Sequence, residues 1–193
     1  MDRTGTRCLE TQRLILRPFV MEDAEDMFRN WASDPEVTKY LTWPTHRNTD
    51  VTRMVLGDWT ARYGDGDYFN WAIEWRENGQ AIGSISVVRL TEAIGEAEIG
   101  YCLSKRFWGR GIMPEALRAV EDYLFGTVGL NRLCAGHDAN NPGSGRVMDK
   151  AGMRLEGIMR QGGKNNQGLC DSVLHAILRS DWLAMKAQQK EAQ

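Results

Sequence analysis

One stretch of the chain limits the fold more than any other: an alternating strand pattern that runs directly into a glycine-containing loop and then a helix. Ala97, Ile99, Tyr101 and Leu103 alternate with Glu98, Gly100 and Cys102, the period of two expected of a half-buried strand. Arg106-Phe107-Trp108-Gly109-Arg110-Gly111 follows, and Pro114 suits the first turn of a helix predicted to run to about Val128. Leu117, Val120 and Leu124 give that helix a buried stripe. Glycines at such a junction let the backbone approach a ligand with no Cβ in the way. The unpaired N–H groups and partial positive charge of the helix start suit a pyrophosphate, and Arg106 and Arg110 would add charge. The spacing is not a P-loop, which needs Gly-Lys-Ser/Thr, nor the dinucleotide fingerprint, which needs a third glycine. Alone, the pattern reads more readily as an ordinary strand-to-helix turn, which is common with glycine.

The rest of the chain supplies an α+β frame. Arg13–Arg17 reads as a first strand closed by Pro18. Glu22-Asp23 then opens a helix whose apolar face is Ala24, Met27, Phe28 and Trp31, ended by Asp34-Pro35. A second helix is predicted over about residues 48–63. Phe69, Trp71, Ile73 and Trp75 alternate as a strand, and Asn78-Gly79 predicts a two-residue hairpin turn into a strand over Ile82–Val88. Leu133-Cys134-Ala135 lies in a further strand. Asn141-Pro142 reads as an N-cap followed by Pro at the first helical position, with Gly152 ending that helix. Two more strands, near Leu155 and over Ser172–Leu178, precede a charged tail. The sum is a mostly antiparallel sheet with helices on both faces.

No repeat or linker divides the 193 residues, so one domain is expected over 1–193, with its core at about 9–182 and a short polar tail after. The 24 basic and 26 acidic residues leave a net charge of −2, which argues against nucleic acid or a membrane surface as the main partner. Apolar runs are too short to span a bilayer and Met1-Asp2-Arg3-Thr4 begins no signal peptide, so a cytoplasmic protein is expected. Cys8, Cys102, Cys134 and Cys170 are far apart and read as reduced thiols. His46, His137 and His175 have no ligand spacing, so no metal is expected.

The segment Arg106-x-x-Gly109-x-Gly111 resembles the acyl-coenzyme A loop of the GNAT superfamily of N-acetyltransferases. The wider match is to its RimJ/RimL-like branch, which includes the ribosomal-protein N-terminal acetyltransferases. Glu10–Arg17 resembles that branch's first strand. Glu98-Ile99-Gly100-Tyr101, Trp108–Gly111 and Glu115-Ala116-Leu117 resemble its central strand, loop and helix. Asn141-x-x-Ser144 with Lys150–Met153 resembles its second cofactor segment, and Asp171 with Asp181-Trp182 its end. The resemblance spans about residues 9–182. It implies a sheet of about seven strands, splayed between the fourth and fifth, that binds acetyl-coenzyme A and transfers its acetyl group directly to a primary amine. A homodimer is what the branch suggests. A non-catalytic acyl-coenzyme A-binding or amine-sensing domain is the alternative on the same fold.

The resemblance also implies roles for individual residues. Backbone groups of Tyr101, Cys102 and Leu103 would bond the pantetheine arm as an added strand, and the N–H groups of Trp108 to Ile112 would hold the pyrophosphate. Asn141 would face the pantetheine from the other side. An alkyl ammonium, with a pKa of about 10, must lose a proton before its nitrogen attacks a thioester. Glu98, on the face of Gly100 and Cys102, is the candidate base; the competing reading is a solvated strand glutamate. A strand bulge, frequent in the family, would decide the face it uses. Ser144 is placed to protonate the departing thiolate, or else satisfies backbone at its helix start. Tyr101 is a second candidate, with packing as its other reading. A covalent acetyl-cysteine on Cys102 is rejected for want of a partner histidine. His175 stands where the branch commonly has Tyr. Trp31, Tyr40, Trp43 and Trp71 are expected to wall the amine site unless they are core. The grouping of Glu92, Glu96 and Glu98 points to a cationic acceptor, or to surface charge alone.

Overall fold

The structure, a computed structural model, describes residues 2–191. Its sheet contains β1 (Leu9–Glu10), β2 (Leu14–Arg17), β3 (Asn70–Trp75), β4 (Gln80–Thr91), β5 (Glu96–Leu103), β6 (Arg132–Asp138), β7 (Arg154–Asn165) and β8 (Gly168–Leu178). The spatial order is β1-β2-β3-β4-β5-β6-β8-β7. Every neighbouring pair is antiparallel except β5 and β6. Eight strands replace the expected seven because Leu9 and Glu10 pair with Leu16 and Ile15.

The parallel pair forms the junction that matters. Only Glu96–Glu98 matches Arg132–Cys134. Beyond Glu98, β5 keeps β4 alone as a partner, while β6 continues along β8. The sheet therefore splays between its fifth and sixth strands, one later than expected because of the added β1. The strands that part are the predicted ones.

The helices are α1 (Ala24–Met27), extended by a π-helical turn over Phe28–Ala32, then α2 (Pro35–Thr38), α3 (Thr49–Thr60) and α4 (Ile112–Tyr123), which continues as a π turn over Leu124–Val128. α5 (Pro142–Ala151) and α6 (Arg179–Glu191) complete them. Two cores result, one on each face of the sheet. Leu117, Val120 and Leu124 pack with Leu16, Trp71, Ile85 and Ile99. Met27, Trp31 and Leu56 pack with Ala72, Ala81 and Cys102 on the opposite face. Each large apolar side chain buried this way contributes about 1.5–3 kcal/mol.

Two local expectations are corrected. The Asn78-Gly79 turn is a four-residue connection, since Trp75 pairs with Gln80 and the Gly79 N–H reaches the Trp75 carbonyl at 2.9 Å. Gly79 alone takes the positive φ, +69°, whereas a two-residue turn of that type needs two. The charged tail is helix α6. Its Trp182 ring centroid lies 5.7 Å from that of Phe125, and the indole N–H donates to Asp122 Oδ1 at 2.7 Å.

Candidate active site

Where β5 and β6 part, a cleft of about 420 Å³ opens, lined by Tyr101–Leu103, by Phe107–Gly109, by the start of α4, and by Asn141, Ser144 and Val147. The β5 backbone beyond Glu98 faces it without a β6 partner, and an unpaired strand edge recruits another extended chain. The glycine loop closes one end. Gly109 and Gly111 both hold φ at +72°, a conformation disfavoured by roughly 1–2 kcal/mol in residues with a Cβ. Gly111 is the N-cap of α4, so the first-turn N–H groups have no helical acceptors. Arg13 holds the loop from behind, donating to the carbonyls of Arg110 and Gly111 at 3.0 and 3.2 Å. Glu115 fixes that arginine at 2.6 Å and also accepts from the Thr11 hydroxyl at 2.6 Å. This brace joins residues a hundred positions apart, and no local pattern announces it.

A second cavity, about 680 Å³, lies on the α1–α3 side of the sheet. Its floor is Ser84–Leu90 of β4 and Glu98–Cys102 of β5. Its other walls are Tyr40–Trp43, Trp59, Arg62, Tyr68, and Gly136–Asp138 at the end of β6. The two cavities share six residues: Tyr40, Leu41, Tyr101, Cys102, Asn141 and Ser144. Asn166, at the β7–β8 turn, holds the Tyr40–Trp43 roof. Its backbone N–H donates to the Leu41 carbonyl at 3.1 Å. Its side-chain amide donates to the carbonyls of Thr38 and Trp43, both at 2.8 Å. All three of its donors are thus spent on one loop.

At the shared wall, the Tyr101 hydroxyl lies 2.9 Å from Ser144 Oγ and 3.0 Å from the Ser144 carbonyl. Burial raises the Tyr101 pKa above its ordinary value, partly offset by the bond to Ser144, so the phenol keeps its proton. Asn141 performs the helix cap, its Oδ1 accepting from the Ser144 N–H at 3.4 Å, which leaves the Ser144 hydroxyl to Tyr101. Cys102 is buried, and desolvation pushes its thiol up to about 11, far from the thiolate a nucleophile requires.

Glu98 is the last β5 residue paired with β6, at the crotch of the split, with a side chain 32% exposed. Its Oε2 accepts from Arg89 Nε at 2.9 Å. The bulge expected in this strand lies in its neighbour. Val87 pairs with Ile99 and Arg89 with Glu98, so Val88 is the extra residue and β5 alternates unbroken. Gly100 lies beneath that bulge, and a Cβ there would come within 2.7 Å of Val88 Cγ1, so the exposed Val88 side chain would have to move.

Other candidates sit elsewhere than expected. Trp31 and Trp71 are wholly buried, one in each core, and line neither cavity. Large rings on the inward face of a helix and a strand fill core before they wall a pocket. Tyr40 and Trp43 do line the second cavity. Arg106 turns to Asn30 Oδ1, and Arg110 lies over the rings of Phe107 and Trp75 at 5.3 and 5.8 Å. Neither arginine lines the first cleft; Arg146 and Lys150 of α5 supply its positive charge. The Trp108 N–H already donates to the Lys105 carbonyl at 3.1 Å, and its indole to the Leu103 carbonyl at 2.8 Å. His175 is buried, 3.4 Å from Asp149, and lines neither cavity. Glu92, Glu96 and Glu98 are all paired with arginines: Arg3 at 3.0 Å, Arg132 at 2.6 Å and Arg89 at 2.9 Å. Among the described residues, no cluster of His, Cys, Asp or Glu is arranged to hold a metal ion, and no helix is long and apolar enough to cross a membrane.

A sheet splayed beside a glycine loop at a helix start is the architecture of one enzyme class. Residues 13–154 match the acetyltransferase (GNAT) domain model, and the chain belongs to that family of acyltransferases. It is 32% identical over 171 residues to the uncharacterized N-acetyltransferase YoaA of Bacillus subtilis, covering 89% of this chain and 96% of that one. It is 25% identical over 182 residues to the ribosomal protein uS5-alanine N-acetyltransferase of Escherichia coli, covering 90% and 92%. A GNAT-family acetyltransferase structure from Bacillus anthracis superposes with a TM-score of 0.79 at 25% identity, over 90% of this chain and 99% of that one. Acyl transfer to nitrogen is therefore the activity of the enzyme.

Proposed function

We propose that the enzyme transfers acetyl from acetyl-coenzyme A directly to a primary amine, a protein N-terminal α-amine or that of a small molecule, with both substrates bound at once. The observation that carries this reading is the meeting of two cavities at the Tyr101–Ser144 hydrogen bond. One cavity suits the donor. Its β5 edge, free of β6 at residues 101–103, fits an extended amide chain, and Asn141 faces that edge from the start of α5. The backbone from Gly109 to Ile112, with Arg146 and Lys150, fits phosphates. The other cavity, roofed by Tyr40 and Trp43, is left for the acceptor.

Acetyl-coenzyme A supplies the thioester. Glu98, at the acceptor side of the split, takes the proton the amine must lose, directly or through water. The nitrogen lone pair then forms the new C–N bond as the C–S bond breaks. The Tyr101–Ser144 hydroxyl pair stabilises the departing sulfur by donating a hydrogen bond to it, and the raised pKa of Tyr101 keeps the phenol protonated and able to do so. Direct transfer agrees with Cys102, which reaches both cavities yet holds its proton.

The test is release of coenzyme A from acetyl-coenzyme A, offered with a panel of peptide N-termini, polyamines and aminoglycosides. Turnover of one amine class with no burst of acetyl-enzyme is expected. A stable acetyl-protein adduct, or tight donor binding without transfer to any amine, would overturn the reading.

A further inference from the structure

The charges around the proposed acceptor cavity balance, so they do not single out the cationic acceptor that three clustered glutamates suggested. Besides His137, whose Nδ1 lies 2.8 Å from the Asp138 carbonyl oxygen, five acidic or basic side chains line it: Arg62, Asp67, Arg89, Glu98 and Asp138. Arg89 and Glu98 neutralise each other, and Asp67 pairs with Arg3 at 2.9 Å. Asp138 is held by the Asn140 N–H at 2.8 Å and by the side-chain amides of Asn140 and Asn165 at 3.1 and 2.7 Å. Arg62 alone has no such partner among the described residues.

The Arg62 guanidinium is held in position, lying over the Tyr68 ring at 4.2 Å, a cation–π contact that leaves its N–H donors open. Beside it, the Tyr68 hydroxyl accepts from Asn70 Nδ2 at 2.9 Å, which keeps the phenol proton available to donate. Ser86, paired with Asn70 across the sheet, places a hydroxyl on the same wall. A guanidinium, a phenol and a hydroxyl lining the same cavity form an anion-binding set.

We infer that the acceptor carries an anionic group, a carboxylate or a phosphate, remote from the amine that is acetylated, and that Arg62 selects for it. The inference rests on the assignment of this cavity to the acceptor. The separation follows from the sheet. Asn70, Ser86 and Gly100 stand opposite one another on three neighbouring strands, and Glu98 is two residues from Gly100. At ~4.8 Å between strands and ~3.4 Å per residue, the Asn70 and Glu98 backbones are about 12 Å apart. An amine presented to Glu98 and an anion held by Arg62 and Tyr68 are thus several bonds farther apart than in an α-amino acid. The acceptor is dipolar and extended: a long ω-amino acid or amino phosphate, or a short peptide whose acidic side chain follows the N-terminus by about two residues.

The experiment compares matched acceptors in wild type, Arg62→Gln and Arg62→Lys. One arm is a ladder of ω-amino acids from glycine to 8-aminooctanoate, each beside its carboxamide, with 6-aminohexyl phosphate beside 6-aminohexanol. The other uses C-terminally amidated tripeptides differing only in Glu or Gln at the third position, and the two arms separate the sources of the anion. Wild type is expected to prefer the anionic member at least about tenfold in kcat/KM for the longer acceptors, the scale of one charge-assisted hydrogen bond. Arg62→Gln is expected to bring that ratio toward one through KM, and Arg62→Lys to keep part of it. Equal use of charged and neutral members, preference for the carboxamides or for polyamines, or a ratio unmoved by Arg62→Gln would overturn the inference while leaving acetyl transfer intact. Calorimetric binding of the same ladder to the coenzyme A-bound protein reads the preference independently, so failure of acetyl transfer is told apart from failure of the anion site.

Discussion

The two cavities that meet at Tyr101 and Ser144 are built from different materials. The cleft proposed for the donor is made largely of backbone: a strand edge free of β6, two glycines at positive φ and a helix start, contributed mainly by one run from Tyr101 to Pro114 and by Asn141–Lys150. The acceptor cavity is made of side chains brought from a loop after α2, the end of α3, the bulged β4 and the end of β6. Backbone recognition depends on few side chains, so this cleft suits a ligand that stays constant. Side-chain recognition changes with single substitutions, so on the proposed assignment the other cavity would set specificity.

That contrast can be broken at several points. The largest effect is expected at the shared boundary. Glu98→Gln should lower kcat by about 100-fold, the scale of one general base, with little change in acetyl-coenzyme A affinity by calorimetry; a variant with unchanged kcat removes Glu98 from the chemistry. Gly111→Val tests the backbone side. Forcing a β-branched residue to φ +72° should weaken donor binding by about 5- to 30-fold, and the acceptor KM should stay near its wild-type value. Ser144→Ala and Tyr101→Phe should each lower kcat by about tenfold. Their double variant should lose less than the product, since one hydrogen bond joins the two hydroxyls. Strict additivity in single-turnover rates would mean they act separately.

The smallest expected effect on rate lies in the roof. Asn166→Asp replaces an amide donor by a carboxylate facing two carbonyls. The acceptor KM should rise about fivefold without loss of overall stability, and an unchanged KM would show that the loop stands without its latch.

A control lies on α4, away from both cavities. Glu121 is 1% exposed, and burial pushes its carboxyl from 4.5 up to about 8. Between those values the folded state keeps a proton that the unfolded chain has released, so stability falls as pH rises from about 4.5 to about 8. Glu121→Gln should therefore have a higher Tm than wild type above pH 8, with the difference vanishing near pH 5. Equal Tm values across that range would show that the residue is not buried in solution.

Local patterns located both strands of the split, β5 and β6, together with α4 and with α5 and its caps, because each is a matter of a few consecutive residues. Val88 was not legible as a bulge, since it differs from its neighbours only in its pairing with β5. The charged tail was not legible as α6, because its helix is held by the contacts of Trp182 and Lys186 with Asp122. Trp31 and Trp71 carry the same aromatic signal as Trp43, and burial alone separates core from wall.

The splay, with Glu98, Tyr101 and Ser144 beside it, was implied by the resemblance to the family; by itself the sequence determined the α+β frame, the glycine loop before α4 and the caps of α5. Those properties reside in alternation, in glycine's access to positive φ and in caps, all of which act within a few residues. Only the tertiary structure decided the brace of Arg13 on Glu115, the latch of Asn166, the pairing of each clustered glutamate with an arginine and the unpaired state of Arg62 over Tyr68. Most of these contacts join residues far apart in the chain, and which charge finds a partner depends on where the folded backbone delivers it.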